Sequence, residues 1–344
     1  MCARAPLSRS ATASIAPTLQ EQSKTFKHGI ERISYGSSCR DLVEWTCRKE
    51  RTMYTITGVT GQVGSAVANE LLAAGADVRV LARDEPKLTP WSRRGAEVAV
   101  ADLGDAGGLS AALRGSRAAF VLLPLNLTSP SVGADAAQLI DSIGEAVEAA
   151  GVPHVVALSS VGAELPSGTG AIAWLHRFED RLRATGAVVT AVRSGHFQQK
   201  ARELLGAVHA AGIYPVFRDT ADVPIPMVAV RDVGAVIASA LREPVPAPQV
   251  IDVEGPEYTE RQVAEAIAGL VGHPVEVVTI ARQGWVAALA EGGLSTEGAE
   301  LIAELYDADQ RGLLRPRGDR LVRGRTGLEE TLRDLLAAEP APAR

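Results

Sequence analysis

Three glycines, Gly58, Gly61 and Gly64, stand at a spacing that lets a chain hold phosphate groups. They interrupt the run Met-Tyr-Thr-Ile-Thr-Gly-Val-Thr-Gly-Gln-Val-Gly at positions 53–64. A β-rich stretch at 54–57 leads in, and an amphipathic one with Val63, Val67, Leu71 and Leu72 on a single face leads out. Strand, glycine loop and helix in that order suit the pyrophosphate of a dinucleotide. Gly58 permits a tight turn, Gly61 lets the backbone approach the phosphates, and Gly64 lets the helix pack closely on the strand. The helix start adds free N–H groups and a positive dipole end. The expected cofactor contacts in this loop are Gly58, Thr60, Gly61, Val63 and Gly64.

The end of the second predicted strand, 77–82, reports on which dinucleotide is held. An NAD-specific site places a carboxylate there for the ribose 2′-OH. Here the place holds Arg83, whose guanidinium suits a 2′-phosphate and can stack on adenine. Asp84 follows at once, and a carboxylate one position later still reaches an unphosphorylated ribose. NADP(H) is the expected cofactor, with NAD(H) the competing one.

Other polar groups admit two readings each. His176 lies one helical turn from Glu179 and is either a proton donor or a hydrogen-bonded surface histidine. Lys200, one of five lysines in the chain, is either a cation for a substrate carbonyl or phosphate, or an exposed residue at a helix start. Arg311, Arg315, Arg317, Arg320, Arg323 and Arg325 crowd fifteen positions against Asp319 alone. They form either a solvated basic segment or a lid that draws an anionic substrate or partner. No His/Cys/Asp grouping has metal-ligand spacing, so no metal is expected. The absence of a Gly-x-Ser-x-Gly elbow argues against serine hydrolase chemistry.

The elements that must position these residues alternate strand with helix from Met53 onward, which implies a parallel sheet covered on both faces. Strands are predicted at 54–57, 77–82, 97–101, 118–123, 154–158 and 188–192. Helices are predicted at 62–74, 109–113, 133–150, 171–184, 198–211 and 231–241, the later ones bounded by Gly or Pro. Beyond Pro244, Pro246 and Pro248 a further unit is expected, with strands at 250–253 and 275–280. Thr259 is its first N-cap, with Gln262 three residues on, and helical pieces follow at 285–289 and 299–308. Trp285, Leu289 and Leu294 read as pocket wall.

Composition sets outer limits. The chain has 344 residues, 46% hydrophobic and 22% charged, enough for one large or two small cores. No apolar run approaches the roughly 18 residues of a membrane span, so no membrane association is expected. A formal charge of −6 and 4% aromatics argue against nucleic acid as a partner. Residues 1–52 differ from the rest. They hold all three cysteines, Cys2, Cys39 and Cys47, and nine basic residues against five acidic ones. They read as a disordered or misassigned extension, with a transit peptide as the alternative. Neither reading needs a disulfide.

With these flanks, the Gly-x-x-Gly-x-x-Gly loop resembles that of the short-chain dehydrogenase superfamily, specifically its atypical NmrA-like branch. The resemblance runs from about Met53 to the mid-330s and is more specific in its first half. It implies that Asp102 accepts from the adenine amino group while Leu103 covers a face of the ring. It implies also that Leu123 and Pro124 lie beside the ribose and nicotinamide, and that Ser159 or Ser160 takes the place of the serine that orients a substrate carbonyl. Typical members carry Tyr-x-x-x-Lys on the next helix, the tyrosine as acid and the lysine as its partner. This chain departs from that pattern. Its helix reads Gly-Ala-Ile-Ala-Trp-Leu-His-Arg-Phe-Glu-Asp at 170–180, with Ala171 and Leu175 where the pair would stand. The stretch Arg-Ser-Gly-His-Phe-Gln-Gln-Lys at 193–200 resembles the family's Arg-Pro-x-x-Phe-x-x-Asn segment at the cofactor–substrate boundary, with Lys200 replacing the asparagine.

The expected fold is a Rossmann-type α/β, doubly wound parallel sheet at 53–248, with a smaller C-terminal α/β substrate part at 249–338 and a frayed tail at 339–344. The expected function is an NADPH-dependent reductase delivering hydride to a small conjugated acceptor: an enone or lactone C=C of secondary metabolism, a quinone or an imine. Such acceptors need polarisation more than a dedicated phenolic acid. The rival is a non-catalytic NADP(H)-sensing regulatory protein. The candidate catalytic residues are Ser159, His176 and Lys200, with Arg83, Asp102, Leu103, Leu123 and Ser159 joining the loop in binding cofactor. A cytoplasmic monomer or homodimer acting on a small molecule, anionic or neutral, completes the expectation.

Overall fold

The computed structural model describes residues 52–243 and 245–337. The expected N-terminal extension with its three cysteines, and the expected tail, lie outside the described residues. The first half runs β1 (Met53–Ile56), α1 (Gln62–Ala73), β2 (Asp77–Ala82), β3 (Glu97–Val100), α2 (Ala106–Leu113), β4 (Ser116–Val121), α3 (Val132–Ala150), β5 (His154–Ser160), α4 (Ile172–Arg183) and β6 (Val188–Ser194). Then come β7 (His196–Phe197), α5 (Ala201–Ala211), β8 (Ile213–Val216), β9 (Ile225–Val228) and α6 (Val230–Arg242). The remainder is β10 (Gln249–Glu254), β11 (Glu257–Tyr258), α7 (Glu260–Val271), β12 (Glu276–Thr279), α8 (Trp285–Glu291), α9 (Thr296–Gln310), β13 (Arg320–Arg323) and α10 (Leu328–Ala337). Among the described residues no helix is long and apolar enough to cross a membrane.

One eight-stranded sheet orders its strands β3-β2-β1-β4-β5-β6-β10-β13. Every pairing in it is parallel. The strand order reverses between β1 and β4, the switch point at which doubly wound sheets open a crevice beyond their carboxyl ends. Alternate residues of each central strand serve opposite cores. Ala118 and Phe120 join Ile56, Val67, Leu71, Val233 and Ile237 under α1 and α6. Ala119 and Val121 join Leu109, Ile140, Ile143, Phe178 and Leu182 under α2, α3 and α4. Burial on both faces explains why these strands are apolar throughout rather than alternating.

The sheet does not stop where the proline-rich stretch suggested a boundary. The strand expected at 250–253 is β10, which pairs with β6 inside the large sheet, and β13 adds an edge beyond it. A third core forms the smaller lobe, from Leu205 and Val208 of α5, Tyr214 and Val216 of β8, Ile267 of α7 and Leu332 of α10. It therefore draws on chain from both sides of residue 248. The helix predicted at 198–211 belongs to it, after a 3₁₀ turn over Gln198–Lys200. The capping box of α7 is present, with Thr259 and Gln262 each bonding the other's backbone N–H.

Candidate functional site

A crevice of about 540 Å³ opens at the carboxyl ends of β1, β4 and β5, lined by Gly58, Gly61, Val63, Gly64, Leu123 and Ser159 among others. Gly58 has φ +62°, and a Cβ there would lie 2.8 Å from Leu122 Cδ2 across the switch point. At Gly64 a Cβ would fall 2.3 Å from the Gly58 carbonyl oxygen, so only glycine lets α1 start this close to β1. Gly61 is the N-cap of α1. It offers no side-chain cap, and the first turn holds no acidic residue. The helix's first N–H groups and its dipole thus face the crevice without a protein anion, which fits a dinucleotide phosphate. Thr60 is exposed on the loop and lies outside the lining.

Arg83 and Asp84 leave β2 on the exposed surface. Asp84 is held 2.7 Å from Lys87, and that hydrogen bond, with the lysine's charge, lowers its carboxyl below the ordinary range. The carboxylate that competed for the ribose is therefore engaged locally, while Arg83 makes no hydrogen bond or ion pair among the described residues. Asp102 caps its own turn, its Oδ1 accepting from the Gly104 N–H at 2.8 Å. Leu103 packs against the α2–α3 core.

Ser159, at the end of β5, lines the crevice, but its hydroxyl donates to Glu179 Oε1 at 2.6 Å. Glu179 is fully buried. Arg193 grips it from two nitrogens, Nε at 2.9 Å and Nη2 at 2.8 Å, and Arg183 Nη2 donates at 2.5 Å. Burial raises the Glu179 pKa, yet the Arg193 and Ser159 hydrogen bonds and the two guanidinium charges outweigh it, and the net direction is down. Arg193, also paired with Glu164 at 3.1 Å, is thus committed to the scaffold. His176 turns away from the site. Its Nδ1 lies 2.9 Å from the Ala163 carbonyl and its Nε2 3.4 Å from Asp180, and it lines neither cavity. The spacing that set it one turn from Glu179 does not bring it to the crevice.

A second cavity, about 520 Å³, adjoins the first through His196, Phe197, Lys200 and Glu203, which line both. Its far wall comes from the third core and from α9. Tyr306 of α9 stacks on Phe217 at 5.3 Å between ring centroids and meets the edge of Trp285 at 6.1 Å. Lys200 Nζ lies 4.4 Å from the Tyr306 ring centroid. Burial lowers the Lys200 pKa, but the Tyr306 phenol, Glu203 and Glu260 more than offset it, and the ammonium is retained. Tyr214 donates its phenolic proton to Glu260 at 2.7 Å, and burial together with that carboxylate raises its pKa well above the ordinary value. Asp309 pairs with Arg218 and lies 3.3 Å from His196 Nε2.

Of the expected wall residues, Leu289 and Leu294 line this cavity. Trp285 sits behind it, buried, with its indole N–H on the Ile280 carbonyl at 2.8 Å. Tyr306, Tyr214, Phe217 and Arg218 carry no local sequence signal that marks them for a site. The arginine segment lines neither cavity. Arg311 and Arg317 reach Asp307 and Glu164, and Arg320 and Arg323 lie on the edge strand β13. Among the described residues no group is placed to hold a metal ion.

The sequence model of the NmrA-like family matches residues 50–307, and the chain belongs to that family. An NAD(P)H azoreductase of Xenophilus azovorans is 29% identical over 255 residues, covering 74% of this chain and 86% of that protein. The (4-alkanoyl-5-oxo-2,5-dihydrofuran-3-yl)methyl phosphate reductase of Streptomyces griseus is 32% identical over 225 residues, covering 65% of this chain and 75% of that one. Among solved structures, the NADPH-dependent quinone oxidoreductase of Escherichia coli complexed with NADPH superposes with a TM-score of 0.67 at 23% identity. That match spans 83% of this chain and 100% of the other.

Proposed function

We propose that this chain is an NADPH-dependent reductase that passes a hydride to a small, planar conjugated acceptor, with quinones, azo compounds, enones and imines as the candidate class. The observation that carries the reading is the junction of the two cavities. A phosphate-binding glycine cradle opens directly into a space walled by Phe217 and Tyr306, with Lys200 at the shared edge. NADP(H), when bound, supplies the hydride. Gly58, Gly61, Val63 and Gly64 would hold its pyrophosphate, and Arg83, unpaired where Asp84 is engaged, would hold the 2′-phosphate.

The chain's own groups shape the acceptor. Glu203, Glu260 and Asp309 face Lys200 and Arg218 around the second cavity, so the lining has no excess of positive charge. That balance favours an uncharged acceptor over a phosphate ester. Lys200, held as an ammonium, would polarise a carbonyl or azo nitrogen as negative charge develops there. The relatives are named for reduction of azo, furanone and quinone compounds, which belong to the same chemical class. A protein that only sensed the cofactor would have no use for this aromatic chamber beside the cradle.

The test is anaerobic oxidation of NADPH, followed at the nicotinamide absorbance, against panels of quinones, azo dyes, enones and imines. Turnover with at least one class is expected, and faster with NADPH than with NADH. Tight NADPH binding with no turnover on any panel overturns the reading.

A further inference from the structure

We propose that Tyr306 is the proton donor of the reduction and that Lys200 holds it to that task, a tyrosine–lysine pair assembled from α9 and the turn before α5. The proposal rests on the reductase reading and adds to it the acid that the chain's linear pattern lacks. On α4 the positions for such a pair are Ala171 and Leu175. In space, Tyr306 lines the second cavity, and Lys200, at the edge that both cavities share, sets its Nζ over the Tyr306 ring, 4.4 Å from the centroid.

Three observations separate Tyr306 from the other phenol in the chamber. Tyr214 donates a hydrogen bond to the Glu260 carboxylate, and burial together with that carboxylate holds the proton on the phenol. Tyr306 instead faces an ammonium, which stabilises the negative charge left when a phenol gives its proton away. Phe217 stacks on the Tyr306 ring and Trp285 packs perpendicular to it, so the ring is held in place rather than free to swing. Among the carboxylates lining the chamber, Asp309 is paired with Arg218 and Glu260 accepts from Tyr214. Glu203 adds negative charge beside Lys200 and helps retain its proton.

The step balances. The acceptor takes a hydride, two electrons and one proton equivalent, from NADPH at one end of its conjugated system and becomes an anion at oxygen or nitrogen. The Tyr306 O–H bond breaks and its proton goes to that atom. The Lys200 ammonium balances the charge of the resulting phenolate until a solvent proton restores the phenol, so one NADPH and one solvent proton are consumed per acceptor reduced.

The experiment measures kcat and KM on methyl red and on menadione, with the NADPH dissociation constant, for wild type, Tyr306→Phe, Lys200→Met and Lys200→Arg. Tyr306→Phe keeps the ring and removes only the acid. It is expected to lower kcat by about 10²–10⁴ while leaving KM and NADPH affinity within threefold. Where both acceptors turn over, the loss is greater on methyl red, because a nitrogen anion needs its proton more than a hydroquinone anion does. Lys200→Met should lose kcat in the same range, with Lys200→Arg recovering part of it. A Tyr306→Phe enzyme within threefold of wild-type kcat overturns the proposal and leaves the reductase reading intact. So does a loss confined to KM, or a Tyr306→Phe chain that fails to fold beside a Lys200→Met chain with wild-type kcat. A wild type that binds NADPH and turns over neither acceptor overturns both.

Discussion

At the scale of single residues, two side chains have roles that separate experiments can isolate. Arg83, just past β2, has no ion-pair partner among the described residues, whereas Asp84 is tied to Lys87. Arg83→Ala should therefore weaken NADPH about tenfold and barely alter NADH. That is the low end for a charge-assisted contact, because the guanidinium is exposed and screened. Asp84→Ala should leave NADH affinity unchanged. Dissociation constants for both cofactors, at low and high salt, check this pair, and an unaltered NADPH:NADH ratio in Arg83→Ala refutes it. Glu179 works on the fold instead. Its fully buried carboxylate serves Ser159, Arg183 and Arg193, so Glu179→Gln leaves the buried Arg193 guanidinium short of a counter-charge. The expected loss is about 3 kcal/mol, the low end for breaking a buried pair, because Glu164 still contacts Arg193. The folded pKa of Glu179 lies below its ordinary value. Its contribution is thus complete above the unfolded pKa and disappears as pH falls through the folded one. Urea unfolding at pH 7 and again in acid should show the gap between wild type and Glu179→Gln narrowing.

At the scale of an element, the turn from β1 into α1 separates binding from folding within six residues. Gly61 has φ −95° and ψ 175°, extended backbone open to any residue, and a Cβ there meets only the Gly58 oxygen at 3.4 Å. Gly61→Val should then fold normally while its branched side chain fills the space beside the helix N-terminus. NADPH binding should vanish in a fluorescence titration with the melting temperature of the free protein unchanged; retained affinity would place the phosphate elsewhere. Gly64→Ala behaves in the opposite way. Its Cβ would press on three backbone atoms, the Gly58 oxygen and carbon and the Thr57 oxygen, at 2.3, 2.5 and 2.8 Å. Backbone cannot rotate away as a side chain can, so a stability loss of at least about 1–3 kcal/mol is expected, read as a lower melting temperature in the absence of cofactor. The edge strand β13 shows a different economy of the same kind. Its arginines Arg320 and Arg323 read as a candidate substrate lid in sequence, and in the fold they sit on the open edge of the sheet. Charged side chains there discourage pairing with a second chain.

At the scale of the whole molecule, β1 begins its pairing at Met53, against Asp77 on one side and Ser116 on the other. The composition break falls at the same place, with every cysteine before it. Deleting residues 1–52 should therefore leave thermal stability and NADPH affinity as they are. Melts of the full and shortened chains, with and without NADPH, decide the matter, and a drop of many degrees would show that the segment contributes to the fold. The smaller lobe has the opposite character. Its core takes Leu205 and Tyr214 from one side of the β10 crossover and Ile267 and Leu332 from the other, so no single cut in the chain separates it from the large sheet.

What the sequence by itself determined was whatever short-range physics records. A strand buried on both faces must be apolar throughout, and a helix packed on a sheet must repeat its apolar residues every three or four positions, so the alternating architecture was legible from Met53 onward. The tight glycine turn from β1 into α1 was legible for the same reason. The positive φ of Gly58 and the close approach of Gly64 to the backbone of Thr57 and Gly58 are local demands that glycine meets. The tertiary structure decided the rest. Whether the strand at Gln249–Glu254 begins a new unit or extends the old sheet depends on its partner β6, which no local pattern names. His176 and Lys200 each had two readings in sequence. Packing turned the first toward Ala163 and Asp180 and set the second at the mouth of the chamber. Tyr306 meets Lys200 because α9 folds across the turn before α5, and a contact between segments so distant in the chain leaves no spacing to read.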